Sequence, residues 1–169
     1  MNTAEPKTDT ATPEAPSKVE QLKEHKLPTA VLALDSTRDG RRLFAACLDG
    51  GIFQIDAESG SFEQLAKHES YASGVWLLAK SNVLISAGYD GALQWIDVSA
   101  HELIRKVQAH RFWSWQMAAS ADESLVASVT GQYLTGGYKY DPAPEQEPTV
   151  RIFDANTGTY RRPRLVEDR

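Results

Sequence analysis

The chain has 169 residues, a net charge of −5 and a single cysteine, Cys47. The negative balance, with no long basic run, argues against a surface that holds nucleic acid by neutralising phosphates. A lone cysteine excludes an internal disulfide and leans towards a reducing compartment. Residues 1–17 carry Glu5, Asp9 and Glu14 without an apolar core, so they do not read as a secretory signal. No stretch approaches the ~20 apolar residues that span a bilayer. The expectation is a soluble, cytoplasmic protein with no membrane or nucleic-acid partner.

In chain order, residues 1–17 hold Pro6, Pro13 and Pro16 among Thr, Ala and Glu, with no large apolar side chain after Met1. They bury too little to offset ordering entropy and are expected to be a disordered tail. Lys18–Lys23 reads as a strand that precedes His25. Ala30–Leu34 and Leu43–Cys47 are the next two strands, separated by the turn residues Arg38-Asp39-Gly40-Arg41. Asp49-Gly50 signals a hairpin into Gly51–Ile55, which ends at Asp56, and Ser61–Leu65 follows. The pattern returns as Gly74–Leu78, Val83–Ala87, the Asp90-Gly91 hairpin, Ala92–Ile96 ending at Asp97, and Glu102–Val107. A third unit has Ser114–Ala118, Leu125–Val129 and Thr149–Phe153, ending at Asp154. Apolar residues tend to run continuously in the first strand of a unit and to alternate in the outer strands, as expected when inner strands are buried on both faces.

These units share a cassette. Glu20-Gln21-Leu22-Lys23-Glu24-His25 reappears as Glu63-Gln64-Leu65-Ala66-Lys67-His68, and more loosely as Arg105-Lys106-Val107-Gln108-Ala109-His110. A period of about 40 residues built from short strands marks a β-propeller. The chain resembles WD40-repeat proteins, which place a histidine before strand one, Asp-Gly between strands two and three, and Trp-Asp at the end of strand three. Here the closing pairs are Ile55-Asp56, Ile96-Asp97 and Phe153-Asp154, so no unit has that tryptophan. The resemblance covers about residues 18–160. It implies an all-β fold of four-stranded antiparallel blades, at about 26–66, 69–108 and 111–162, with Lys18–Lys23 as a latch strand and 163–169 as a tail. It also implies structural roles for His25, His68, His110, Asp49 and Asp90. Without the indole, at most a His–Asp contact is expected in units one and two. Asp56, Asp97 and Asp154 recur at turns and read as turn acceptors, set too far apart for paired acid–base work.

Three blades fall short of a ring, since the family usually closes with about seven and propellers in general need at least four. A bare blade face, on the order of 400 Å², forfeits about 10 kcal/mol of burial at roughly 25 cal/mol per Å². A typical net stability is only about 5–15 kcal/mol. The chain is therefore expected to be a piece of a longer propeller, or to close a ring by self-association.

The third unit breaks the period. His68 to Asp97 spans 29 residues and His110 to Asp154 spans 44. The excess falls between Val129 and Thr149 and contains Tyr133, Tyr138 and Tyr140. The family resemblance places this loop on the same face as Phe112, Trp113 and Trp115. The two aromatic segments are expected to form a partner-binding rim; the competing reading makes the tryptophans inner-strand core and the tyrosines loop packing. Gly131-x4-Gly136-Gly137 lacks the lysine and helix of a phosphate loop, and His101-Glu102 has Arg105 where a zinc-protease motif needs histidine. No cofactor, metal or catalytic set is assigned. The expected function is a non-catalytic interaction scaffold for a protein or peptide partner. Alternatives are a ligand-binding or enzymatic propeller with a site under the 131–147 loop, and a sensor module of a larger protein.

Overall fold

Each apolar run bounded by Asp, Gly or Ser turns becomes a strand in the computed structural model, which describes residues 18, 20–130 and 150–161. The first unit folds as β1 (Val31–Ser36), β2 (Arg42–Cys47), β3 (Gly51–Asp56) and β4 (Phe62–Lys67). The second gives β5 (Ala72–Leu78), β6 (Val83–Gly88), β7 (Ala92–Asp97) and β8 (Glu102–Gln108), and the third β9 (Ser114–Ala119), β10 (Leu125–Thr130), β11 (Val150–Asp154) and β12 (Tyr160–Arg161). Each unit is an open, four-stranded antiparallel sheet in sequential order. The fold is all-β, built of propeller blades.

The blades stack in chain order, with the first strands β1, β5 and β9 side by side. Blade two is therefore the middle layer. Its alternate residues feed two different cores, because successive strand side chains point to opposite faces. Leu84 and Ile96 meet Phe44, Ala46 and Ile52 of blade one. Ile85, Leu93 and Trp95 meet Val126 and Phe153 of blade three. Trp95 is 1% exposed, and its Nε1 donates to the Ala155 carbonyl oxygen at 2.6 Å. A third cluster of Ala45, Cys47, Phe53 and Ile55 lies on the far side of blade one, with Leu27 packed against it.

Two expectations are corrected. Residues 20–30 carry no strand, so Lys18–Lys23 is not a latch strand among the described residues. The run instead lies along blade one, where the Lys23 ammonium donates to the Glu58 carbonyl and Leu27 fills a gap. A strand needs a ladder partner for its amides, and among the described residues this run pairs with no strand. Burial on both faces also holds best for β5, where only Trp76 is exposed. In β1, Leu32 and Leu34 are exposed, as is Trp115 in β9. These strands have a neighbouring blade on one side only.

Candidate functional site

All three first strands contain a one-residue bulge near their start. The register slips between Val31 and Ala33, between Ala72 and Gly74, and on the β9 side between Ser114 and Gln116. The extra residues are Leu32, Ser73 and Trp115. A bulge re-aims the side chain it carries, and Trp115 is turned out to 54% exposure. It stands over Tyr89, with ring centroids 5.9 Å apart and planes at 22°. Tyr89 also meets Trp113 at 5.8 Å and Tyr71 at 5.7 Å. Phe112 packs edge-on to Trp113 at 6.4 Å. Five aromatic rings thus form a continuous stack across the rim of blades two and three.

The rim is fixed from beneath. Gly91 adopts φ +74°, and a Cβ there would lie 2.3 Å from both the His110 and Phe112 carbonyl oxygens. The Asp90-Gly91 hairpin is thereby seated under the segment that carries Phe112, and the Gly91 carbonyl accepts the His110 amide at 2.9 Å. Trp113 is held by its carbonyl oxygen, which accepts the Thr130 hydroxyl at 2.9 Å. Below Tyr89, His68 joins Asp90 through Nδ1 at 3.0 Å and Ser86 Oγ through Nε2 at 2.9 Å. Burial alone would raise the Asp90 carboxyl, but the His68 hydrogen bond and charge and the Ala92 and Glu69 amides outweigh it. Asp90 is held at about 2. The Lys106 ammonium lies 3.6 Å from Asp90 while bonding Glu69 at 2.8 Å.

The contact order Asp90–His68–Ser86 matches that of a nucleophilic relay, but Ser86 is 0% exposed and His68 2%. A substrate carbonyl cannot reach that hydroxyl, so the arrangement acts as a brace. In blade three His110 Nε2 meets Ser128 Oγ at 2.9 Å, and Ser128 meets Ser114 at 2.7 Å. Blade one lacks the brace expected of it. His25 is exposed and its Nε2 reaches the Ala57 carbonyl oxygen at 2.9 Å, not Asp49. Two differences accompany this: the β2 position matching Ser86 and Ser128 is Ala45, which has no hydroxyl to hold the ring, and His25 stands 20 residues before that position where His68 and His110 stand 18 before theirs.

Asp49 accepts the Gly51 amide at 3.0 Å within its own hairpin. Asp56, Asp97 and Asp154 lie in the turns after the third strands, at the opposite end from the rim. Each accepts two amides of its own turn: Glu58 and Ser59, Ser99 and Ala100, and Asn156 and Thr157 respectively. Of the predicted rim residues, Phe112, Trp113 and Trp115 come together. Tyr133, Tyr138, Tyr140 and the rest of the 131–147 loop lie outside the described residues, as do the 1–17 and 163–169 tails. Tyr71 and Tyr89 escape motif reading, although the repeat points to them. Tyr71 stands three residues after His68, as Trp113 does after His110, and Tyr89 immediately precedes Asp90-Gly91. In blade one the strand register puts Ala30 and Leu48 at the places of Tyr71 and Tyr89, so the stack does not extend onto it. Among the described residues no group of three or more His, Cys, Asp or Glu side chains is placed to hold a metal. No helix among them is long and apolar enough to cross a membrane.

Sequence comparison finds no matching family model and no matching curated protein. Comparison of folds does find similar structures. The chain is similar to the WD40 repeats of RRP9 (TM-score 0.63, 14% identity, 82% of this chain and 39% of that one). It is also similar to U3-55K (TM-score 0.64, 14% identity, 82% and 40%) and to the computationally designed Ika4 protein (TM-score 0.64, 18% identity, 86% and 79%). The fold is therefore a WD40-like β-propeller arrangement. The chain spans about two-fifths of the length of the first two structures.

Proposed function

We propose that this chain is a non-catalytic binding module that holds an extended peptide segment of a protein partner along the aromatic rim of blades two and three. The observation that carries the reading is the exposure of the two outer rings of the stack, Tyr71 at 47% and Trp115 at 54%, on either side of Tyr89. Large aromatic rings normally bury most of their surface, and Trp95 in the same protein does. Tyr71 and Trp115 remain open on a rim stiffened by buried His–Ser hydrogen bonds. Flat apolar rings with polar tips are the side chains that dominate binding energy at protein interfaces. The WD40 character of the fold neighbours agrees with an interaction role.

The test starts with a random peptide library displayed against the whole protein. The selected peptide is then titrated against wild type, Tyr71→Ala and Trp115→Ala. Each substitution is expected to weaken binding at least about tenfold, or about 1.4 kcal/mol, while the melting temperature moves by no more than about 4 °C. Unchanged binding in both variants rejects the rim as the site. Trp113→Ala is a less clean probe, because Trp113 is half-buried beneath the stack.

A further inference from the structure

The aromatic rim of blades two and three has a hydrogen-bonding character as well as an apolar one. The polar atoms that stay open on it are donors. The Trp115 indole N–H and the hydroxyls of Tyr71 and Tyr89 have no hydrogen-bond partner among the described residues. The acceptors beside these rings are engaged from within the fold. The Tyr71 carbonyl accepts the Tyr89 amide at 2.7 Å. The Trp113 carbonyl accepts the Thr130 hydroxyl, the Ser114 carbonyl the Ser73 hydroxyl, and the His110 carbonyl the side-chain amide of Gln108. Both oxygens of the Asp90 carboxylate are occupied, Oδ1 by His68 and the Ala92 amide, Oδ2 by the Glu69 amide. The Glu69 carboxylate in turn holds Lys106.

An ordinary extended peptide brings one N–H donor with each carbonyl, and a donor pressed against the rings without an acceptor loses its water uncompensated. Proline brings the carbonyl without the N–H. A proline-rich segment therefore matches a surface that offers donors and has its acceptors engaged. Its left-handed polyproline II helix has no internal hydrogen bonds, so each carbonyl is free to take a donor. Its apolar rings pack on aromatic faces. The spacing agrees. Tyr71 and Trp115 stand on either side of Tyr89, at 5.7 and 5.9 Å from it. The outer two rings are thus no more than about 12 Å apart, and one turn of a polyproline II helix advances about 9 Å. We propose that the occupant of the rim is a proline-rich segment in the polyproline II conformation, with its rings against Tyr71, Tyr89 and Trp115 and its carbonyls accepting their O–H and N–H donors. This rests on the reading of the rim as a peptide site and adds the chemical class of the peptide.

The experiment adds capped decaproline to the whole protein, labelled with nitrogen-15, and follows it by NMR. A capped glycine–serine decapeptide, with an N–H at every residue, and cellohexaose serve as comparisons. Decaproline is expected to move the Trp115 indole N–H signal with a Kd of about 1 mM or tighter, and the glycine–serine peptide to bind at least about tenfold more weakly. Tyr71→Phe and Trp115→Phe each keep a ring and delete one donor at an exposed position. Each is expected to weaken decaproline about three- to tenfold, with the amide spectrum showing an intact fold. Decaproline that leaves the Trp115 signal in place, binds no better than the glycine–serine peptide, or keeps its affinity in both substitutions overturns the proposal. So does cellohexaose binding at Trp115 where decaproline does not. If the proposal fails while a library-selected peptide still loses affinity in Trp115→Ala, the rim reading stands and only the polyproline assignment falls. If no peptide depends on Trp115 or Tyr71, both fall.

Discussion

Trp95→Phe isolates the junction between blades two and three. The substitution keeps an aromatic ring but removes the indole N–H that donates to Ala155 at 2.6 Å. Ala155 is 1% exposed, so its carbonyl loses that partner with little access to water. Loss of a hydrogen bond in such a place costs about 1–2 kcal/mol. The smaller ring forfeits a further ~1 kcal/mol of burial, taking roughly 40 Å² of apolar surface at about 25 cal/mol per Å². The sum, about 2–3 kcal/mol, lowers the melting temperature by about 4–12 °C for a chain of this length, where 1 kcal/mol moves it about 2–4 °C. The control is Trp115→Ala, a larger truncation at a 54% exposed position, expected to cost about 1 kcal/mol or less. Unfolding followed by far-UV circular dichroism avoids the change in fluorescence. A Trp95→Phe variant that melts within about 1 °C of wild type, or a Trp115→Ala variant that loses as much, would falsify the account of this junction.

The remaining expectations concern the frame beneath the rim. Asp90 is held at about 2 in the folded protein and returns to about 3.9 when unfolded. Its folded value is depressed, so its contribution of about 2 kcal/mol is present above pH ~4 and lost as the pH falls towards ~2. Asp90→Asn is expected to be less stable at neutral pH and to lose less stability between pH ~4 and ~2, as read by urea unfolding; parallel pH curves for the two proteins would contradict this. Gly91→Ala and Gly40→Ala both place a side chain at positive φ, at +74° and +69°. Only the first meets the His110 and Phe112 carbonyls at 2.3 Å, whereas nothing lies within 4 Å of the second. Gly40→Ala is expected to cost about 1 kcal/mol, Gly91→Ala clearly more, and equal melting temperatures would show that the hairpin is not seated as described.

Strand positions were legible in the sequence because Asp-Gly hairpins and apolar runs are local signals, and β2, β3, β6 and β7 fall where those signals place them. Exposure was less legible, because it depends on which blades have neighbours. The same apolar run is buried in β5 and open in β1. The rim was half legible. Phe112, Trp113 and Trp115 stand together in the sequence, whereas Tyr71 and Tyr89 join them only through packing between blades. Trp115 reads equally well as core until the bulge that lifts it from the pleat is known.

The missing Trp-Asp tryptophan shows how a motif can be absent while its material is present. Ile96 stands at the usual tryptophan place, and Trp95 is one residue before it. On a strand that single step reverses the face. Ile96 points towards blade one and packs with Leu84 and Ile52. Trp95 points towards blade three and takes the Ala155 carbonyl as its partner. The indole lies outside the His68–Asp90–Ser86 brace and links blade two to blade three. The brace loses little by this, because both ring nitrogens of His68 still have partners. Blade one tests the same logic in reverse. It has the histidine and the aspartate but Ala45 instead of a serine, and there the brace does not form. Blade one differs in spacing as well, since His25 stands 20 residues before Ala45 where His68 and His110 stand 18 before their serines, so Ala45→Ser supplies the missing hydroxyl without restoring the spacing that the two formed braces share.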